Sequence, residues 1–277
     1  MKTYILLTDC ADEAGIVYKV TGVLYAHKCN IISNDEFVDK STNHFFMRTE
    51  FLGDIDQNEI VAEIKKSLDF ANISLVEKKE KDIIILASKE HHCAGDLILR
   101  HHYGELGAHI KAVISNHQVL QGLAENFGIP FYFIPHEGLA REAHEEKILS
   151  VIAKYNPYYL VLAKYMRILS KNFVERFTNR IINIHHSFLP AFIGASPYKQ
   201  AHERGVKIIG ATAHFVTEGL DAGPIIAQDV IPVNHRLEVE DMVRAGRDVE
   251  KKTLATALNL ALDDRIFVIN NRTIIFG

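Results

Sequence analysis

The chain has 277 residues, of which 48 % are hydrophobic and 24 % charged, with a formal net charge of −4. That composition suits one large or two modest globular domains and argues against disorder, while scattered lysines and arginines on a slightly acidic chain give no footprint for nucleic acid. No apolar run approaches the roughly 18 uncharged residues that span a bilayer, and the start, Met1 to Ile5, is soon interrupted by Asp9 and Asp12, so neither a membrane nor a secretion signal is expected.

Three dispersed cysteines, Cys10, Cys29 and Cys93, form no Cys-x-x-Cys. They fit reduced thiols and a cytoplasmic protein better than a disulfide framework. Fifteen histidines raise the question of a metal. The adjacent pairs His91-His92, His101-His102 and His185-His186 would point to opposite sides of a strand, and no HExxH spacing gathers ligands on one face. No metal site is expected.

In chain order, YILLTDC reads as a strand, Ile16 to His27 as a helix, NIISNDEFVD and HFFMRTEFL as strands, Gln57 to Leu68 as a helix and ISLVEKK as a strand. Strand, helix, strand, strand, helix, strand is the ferredoxin-like order. Asp12 is placed to favour the dipole of the first helix, and Gly15 to take an unusual backbone angle. Together with Cys29-Asn30-Ile31-Ile32, the stretch Asp12-Glu13-Ala14-Gly15-Ile16-Val17 resembles the start of an ACT domain. That resemblance implies a regulatory or dimerising module over residues 1–80, with Asp12, Gly15, Ile16 and Asn30 as candidates for binding an amino-acid effector at a paired interface. Gly15 and Asn30 equally suit plain turn geometry.

The charged stretch Glu77 to Asp82 is the expected linker to a second domain, residues 81–277. There, apolar strands alternate with helix-length segments: DIIILAS, a helix over Gly95 to Tyr103, HIKAVISN, a helix over Gln118 to Phe127, IPFYFIP, a helix over Arg141 to Tyr155, YLVLAKY, a helix near Lys171 to Phe177, and RIINIHH. Continuous apolar strands with crossover helices predict a doubly wound α/β domain around a mostly parallel sheet. Afterwards come a strand pair, GATAHFV with GPIIAQDVIPV, a helix from Glu238 to Leu262, and a hairpin turned at Asn270-Asn271.

The most informative run is NIHHSFLP, Asn183 to Pro190. On a strand, Asn183 and His185 project from one face, so an amide N–H able to bind an oxyanion and an imidazole able to move a proton stand side by side. Such a pair alone is compatible with a merely satisfied buried contact. Asp221 adds a carboxylate from a turn flanked by Gly219 and Gly223, the kind of loop on which a rigid sheet presents reactive groups. The set suits acyl transfer. SKEHHCAGD, after the first strand of this domain, lacks the G-x-G-x-x-G or P-loop pattern that a nucleotide diphosphate requires.

NIHHSFLP followed by SPYKQAHERGVKIIGATAHFVTEGLDAGPIIAQ resembles the signature of the folate-dependent formyltransferase family, over residues from about Lys81 to the C-terminus. The resemblance implies Asn183, His185 and Asp221 as catalytic residues, and Met166, Arg167 and Leu169 on the pteridine side, where a plain buried strand-to-helix connection would account for the same residues. His186 and Ser187 extend the substrate-binding set. His186 is placed either to hold or exclude a second substrate or to pack behind the strand.

Three departures point to the deformylase branch, which passes the formyl group of 10-formyltetrahydrofolate to water. They are His186 where glycinamide ribonucleotide transferases carry proline, a first loop, Ser88 to Cys93, without the glycines that wrap a phosphate, and the extra N-terminal domain. Lys89 can still meet a phosphate, so a glycinamide ribonucleotide formyltransferase stays as the alternative enzyme, and a folate or amino-acid sensor without turnover as the non-enzyme. The expectation is a homo-oligomeric hydrolase of purine-related one-carbon metabolism that needs no cofactor.

Overall fold

The computed structural model describes residues 1–191 and 197–277. The chain divides into two compact units, Met1–Lys79 with Asp263–Phe267 and Ile275–Gly277, and Glu80–Leu262 with Val268–Ile274.

In the first unit β1 (Lys2–Ala11), α1 (Ile16–Ala26), β2 (Asn30–Asp39), β3 (His44–Gly53), α2 (Gln57–Ser67) and β4 (Asn72–Glu77) follow the expected order. The sheet is antiparallel in the order β2-β3-β1-β4. Its pattern is dictated by alternation along β3. Phe45, Met47 and Phe51 join Ile16, Val20 and Leu24 of α1 and Ile60 and Ile64 of α2 in one core, each helix contributing residues four apart. Asp56 starts α2 by accepting the backbone N–H of Asn58 at 2.8 Å. The opposite face of β3 carries Phe46 and Arg48. Phe46 packs edge-on against Phe267 at 5.3 Å, and Arg48 donates to the carbonyls of Asp263 and Asp264 at 3.0 and 3.1 Å. This is why the unit takes in residues 263–267, in place of a clean cut at residue 80.

The second unit contains β5 (Lys81–Ala87), α3 (His92–His102), β6 (Ala108–Ser115), α4 (Gln121–Asn126), β7 (Phe131–Phe133), α5 (Arg141–Ile152), β8 (Tyr159–Ala163), α6 (Lys171–Glu175), β9 (Ile181–His185), α7 (Pro197–Arg204), β10 (Ile208–Phe215), β11 (Ile225–Pro232) and α8 (Val239–Leu262). The seven strands lie in the order β11-β10-β9-β8-β5-β6-β7, parallel from β9 to β7, with β10 and β11 added antiparallel. The terminal strands β12 (Ile266–Ile269) and β13 (Arg272–Ile275) form a hairpin whose turn residues Asn270 and Asn271 have φ of 47° and 62°, the left-handed geometry that asparagine tolerates.

Two boundaries differ from expectation. The linker shrinks to 78–80, because β4 and β5 use the charged residues at their ends. The helix α7 was not anticipated, since PYKQAHER offers only Tyr198 and Ala201 to an apolar face. No helix among the described residues is long and apolar enough to cross a membrane.

Candidate active site

Ile181, Ile182 and Ile184 bury β9 in the sheet, and the strand ends with Asn183 and His185 at the carboxyl edge of the parallel strands, where α/β sheets collect ligands. Antiparallel pairing with β10 sets Thr212 opposite His185 and His214 opposite Asn183. Beyond β10 the chain turns back through Asp221, whose φ is 51°. A Cβ on Gly223 would meet the Phe215 carbonyl oxygen at 1.8 Å, so only glycine lets this turn return close enough to hold Asp221 beside β9.

His185 Nδ1 lies 3.2 Å from Asp221 Oδ2. Its Nε2 is buried and has no protein partner among the described residues. The hydrogen bond from His185, the largest influence on it, holds the Asp221 carboxyl well below the usual carboxylate range, against burial, so it is ionised at neutral pH. Its contact with Nδ1 fixes the proton there and leaves the Nε2 lone pair bare.

His214 is the residue that sequence reasoning missed. It is buried, its Nδ1 lies 2.8 Å from the Phe215 carbonyl, which can only accept, and its Nε2 therefore accepts from Asn183 Nδ2 at 3.2 Å. The imidazole thereby orients the Asn183 amide, leaving its second N–H free. The only signal for His214 was an unexplained histidine in the apolar strand GATAHFV.

These groups line a cavity of about 420 Å³. Met166, Arg167 and Leu169 form another part of its wall, and Met166 is 62 % exposed. Their loop is pinned at both ends: Met166 N–H donates to Ser88 Oγ at 3.1 Å, and Ser170 N–H to buried Glu145 at 2.7 Å.

His186 lines the same cavity, its ring 5.1 Å from that of His185, because strand alternation stops where β9 ends. Burial, then the Lys164 ammonium, lower its pKa to about 4 and keep it neutral. Ser187 does not line this cavity. It faces a smaller, mostly apolar one of about 130 Å³, while its carbonyl accepts from Thr212.

Against this wall stands a buried quartet in which Glu250 of α8 accepts from Lys164 at 3.2 Å, Tyr198 at 2.7 Å and His92 at 2.8 Å. His92, Cys93 and Glu250 have the donor atoms of a metal site. The Lys164 ammonium already occupies the same carboxylate oxygen as His92, and burial raises the Cys93 thiol far above its usual pKa, so the donor set does not suit a cation.

In the first unit the four effector candidates do not meet within one chain. Asn30 stands opposite Leu52, itself beside Thr3, whereas Asp12 to Ile16 follow Ala11 at the other end of the sheet, roughly 26 Å away at about 3.3 Å per residue. Gly15 has the expected unusual angle, φ 91°, but Ile16 is a core residue, 2 % exposed, and no acidic residue lies in the first turn of α1. Asp12 thus sits too early to serve the helix dipole.

Residues 81–258 match the formyl transferase family and residues 4–69 the ACT domain family. The formyltetrahydrofolate deformylase of Haemophilus influenzae is 53 % identical over 272 residues, covering 98 % of each chain, and that of Bacillus subtilis is 44 % identical over 98 % of this chain and 93 % of the other. The crystal structure of a formyltetrahydrofolate deformylase from Pseudomonas syringae pv. tomato superposes with a TM-score of 0.96 at 41 % identity, covering all of this chain and 95 % of that one. A glycinamide ribonucleotide transformylase from Symbiobacterium toebii aligns with 72 % of this chain and 95 % of its own, at 30 % identity and a TM-score of 0.69. With an ACT domain ahead of a formyl transferase domain, and full-length relatives of one kind, the chain belongs to the formyltetrahydrofolate deformylase family.

Proposed function

We propose that this protein hydrolyses 10-formyltetrahydrofolate to formate and tetrahydrofolate, with His185 Nε2 as the base that activates water. The observation that carries the mechanism is that Nε2 is buried and unpartnered in the cavity wall while Nδ1 is held by ionised Asp221. Water attacks the formyl carbon as its proton passes to Nε2. The imidazolium formed is stabilised by Asp221, and the free N–H of Asn183 meets the tetrahedral oxyanion. The same proton then moves to the folate nitrogen as the carbon–nitrogen bond breaks. These steps use side chains alone, so no metal or redox cofactor enters the proposal. Met166, Arg167 and Leu169 bind the pteridine through a loop whose pinned ends support that role. Ser187 acts at most through its neighbour His186.

The test is release of formate and tetrahydrofolate from 10-formyltetrahydrofolate, with and without glycinamide ribonucleotide. Formate without any amine is expected; formyl transfer only when the ribonucleotide is added would replace this reading with the transferase.

The reading extends to the ACT unit, which binds an amino-acid effector and makes the protein a homo-oligomer. The edge strand β2 supports the second part: Ile31, Ile32 and Phe37 are exposed on an unpaired sheet edge. Because Asp12 and Gly15 lie at the far end of the sheet from Asn30, an effector touching both does so between two copies. Cys10, Cys29 and Cys93 are free thiols, in keeping with work in the cytoplasm.

A further inference from the structure

Hydrolysis near neutral pH requires that water reach His185 Nε2 while amines, better nucleophiles than water, do not. The ring nearest to His185 in the cavity wall is that of His186, 5.1 Å away. What stands behind that ring is therefore decisive. Lys164 shares the cavity wall with His186, and the Tyr198 ring lies 6.2 Å from the His186 ring. Both are tied to Glu250, which also holds His92, and all four side chains of this quartet are at least nine-tenths buried.

The quartet is assembled from the start of α3, the end of β8, α7 and α8, so no local feature explains it. Its fit is specific. A Cβ on Gly246, one turn before Glu250, would come within 2.1 Å of Tyr198 Oη, so α8 is shaped to let the phenol cross it and reach the carboxylate. Every charge is matched inside: one carboxylate faces one ammonium, with imidazole and phenol donors completing it. The network fills the volume behind the His186 ring; His92 Nδ1 makes no hydrogen bond among the described residues, but His92 does not line the cavity.

We propose that His186 and the Glu250–Lys164–Tyr198–His92 quartet form an acceptor-excluding wall, which confines the nucleophile at His185 to water. This rests on the hydrolase reading above. The wall discriminates by occupying the space a larger acceptor needs, the repulsive half of specificity. Removing it should admit a small amine. The amine nitrogen would then attack the formyl carbon, give up one proton through His185 to the folate nitrogen as the carbon–nitrogen bond breaks, and leave as the N-formyl amine with tetrahydrofolate as the other product.

The probe is glycinamide, added to the full-length protein with 10-formyltetrahydrofolate, with formate and N-formylglycinamide quantified together. Wild-type protein should give formate and almost no N-formylglycinamide. Tyr198→Ala and His186→Ala should each raise the ratio of N-formylglycinamide to formate by at least about tenfold, the scale on which a change of pocket volume alters selectivity. Tyr198→Phe, which keeps the ring, should leave the ratio near wild type. Should Tyr198→Ala fail to fold, His186→Ala decides, since it cuts no bond of the quartet. The wall is refuted if wild type formylates glycinamide as readily as the variants do, if folded variants still pass formyl only to water, or if His186→Ala loses turnover to both acceptors. Absence of formate from wild-type protein without amine would instead sink the hydrolase reading, so the two failures are told apart at the first measurement.

Discussion

Two clusters of buried ionisable groups stand side by side in the second unit, and they are finished differently. Around Glu250 the ammonium, phenol and imidazole all meet one carboxylate, and the nitrogen left over, His92 Nδ1, is turned away from the cavity lining. Around Asp221 the closure is deliberately incomplete, because His185 spends one ring nitrogen on the carboxylate and presents the other, buried and unpartnered, to the cavity. An unpaired buried nitrogen costs on the order of 1–3 kcal/mol. The two nitrogens left without a hydrogen bond differ in where they sit: that of His185 is in a residue lining the cavity, whereas that of His92 lies in the packed quartet, 3.7 Å from a Glu90 oxygen and off the cavity wall.

The comparison breaks most sharply at Asp221. Asp221→Asn keeps the shape but removes the charge that fixes the His185 tautomer and stabilises its protonated form, so turnover should fall by about ten-thousandfold, as when an orienting carboxylate of this kind is neutralised. Folate binding, measured by equilibrium titration, should change little. A variant with wild-type turnover and pH profile would take Asp221 out of the mechanism.

Glu250 should fail in the opposite sense, in stability more than in chemistry. Glu250→Gln leaves the buried Lys164 ammonium without its counter-charge, a loss of about 3–5 kcal/mol that chemical denaturation will read. The pH dependence follows from the same group. Burial pushes the Glu250 carboxyl up, but His92, Lys164 and Tyr198 together lower it to about 2, from 4.5 when unfolded. A carboxyl depressed on folding stabilises the protein fully above the unfolded value and progressively less as pH falls from about 4.5 towards about 2. The Gln variant should lose stability less steeply across that window. Equal slopes would mean that the quartet does not carry the charge described.

Asn183→Ala removes one oxyanion donor and should lower turnover by about a hundred- to a thousandfold with little effect on folate affinity. It also deprives His214 of its donor. If turnover stays near wild type, the amide is a structural partner of His214 and nothing more.

These predictions follow how legible each part was. Asn183 and His185 are two positions apart on one strand, and Asp221 sits between glycines in a turn, so local spacing carries all three. His214 depends on the register between β9 and β10, which no periodicity specifies. The Glu250 quartet joins residues up to 158 apart in sequence, and Glu250 and Lys164 read singly as ordinary surface charges. The alternating sheets were plain from apolar runs, whereas α7 had too little apolar pattern to show. Ile16 was misplaced for a related reason: the motif around Gly15 marks a turn, but a turn does not say which neighbouring side chain enters the core.

The smallest expected effect concerns the ACT unit, where the comparison turns on whether a site is complete in one chain. Asp12 and Gly15 are at one end of the sheet and Asn30 at the other, so an amino acid that uses both ends must bridge two copies. Binding and association are then one linked equilibrium: an effector that binds only the associated form shifts subunit dissociation as its concentration rises above its Kd. Glycine and methionine are the first to try, on the logic that both draw on or report the one-carbon pool. Calorimetry should detect binding, analytical ultracentrifugation should show the associated form persisting to lower protein concentration when the amino acid is present, and Asn30→Ala should weaken both responses. Coupling to folate affinity should be reciprocal and modest, about 5- to 150-fold, measurable from either ligand. If neither amino acid gives heat and the subunit number is unmoved, the amino-acid reading of Asp12, Gly15 and Asn30 falls, and these residues serve turn geometry alone.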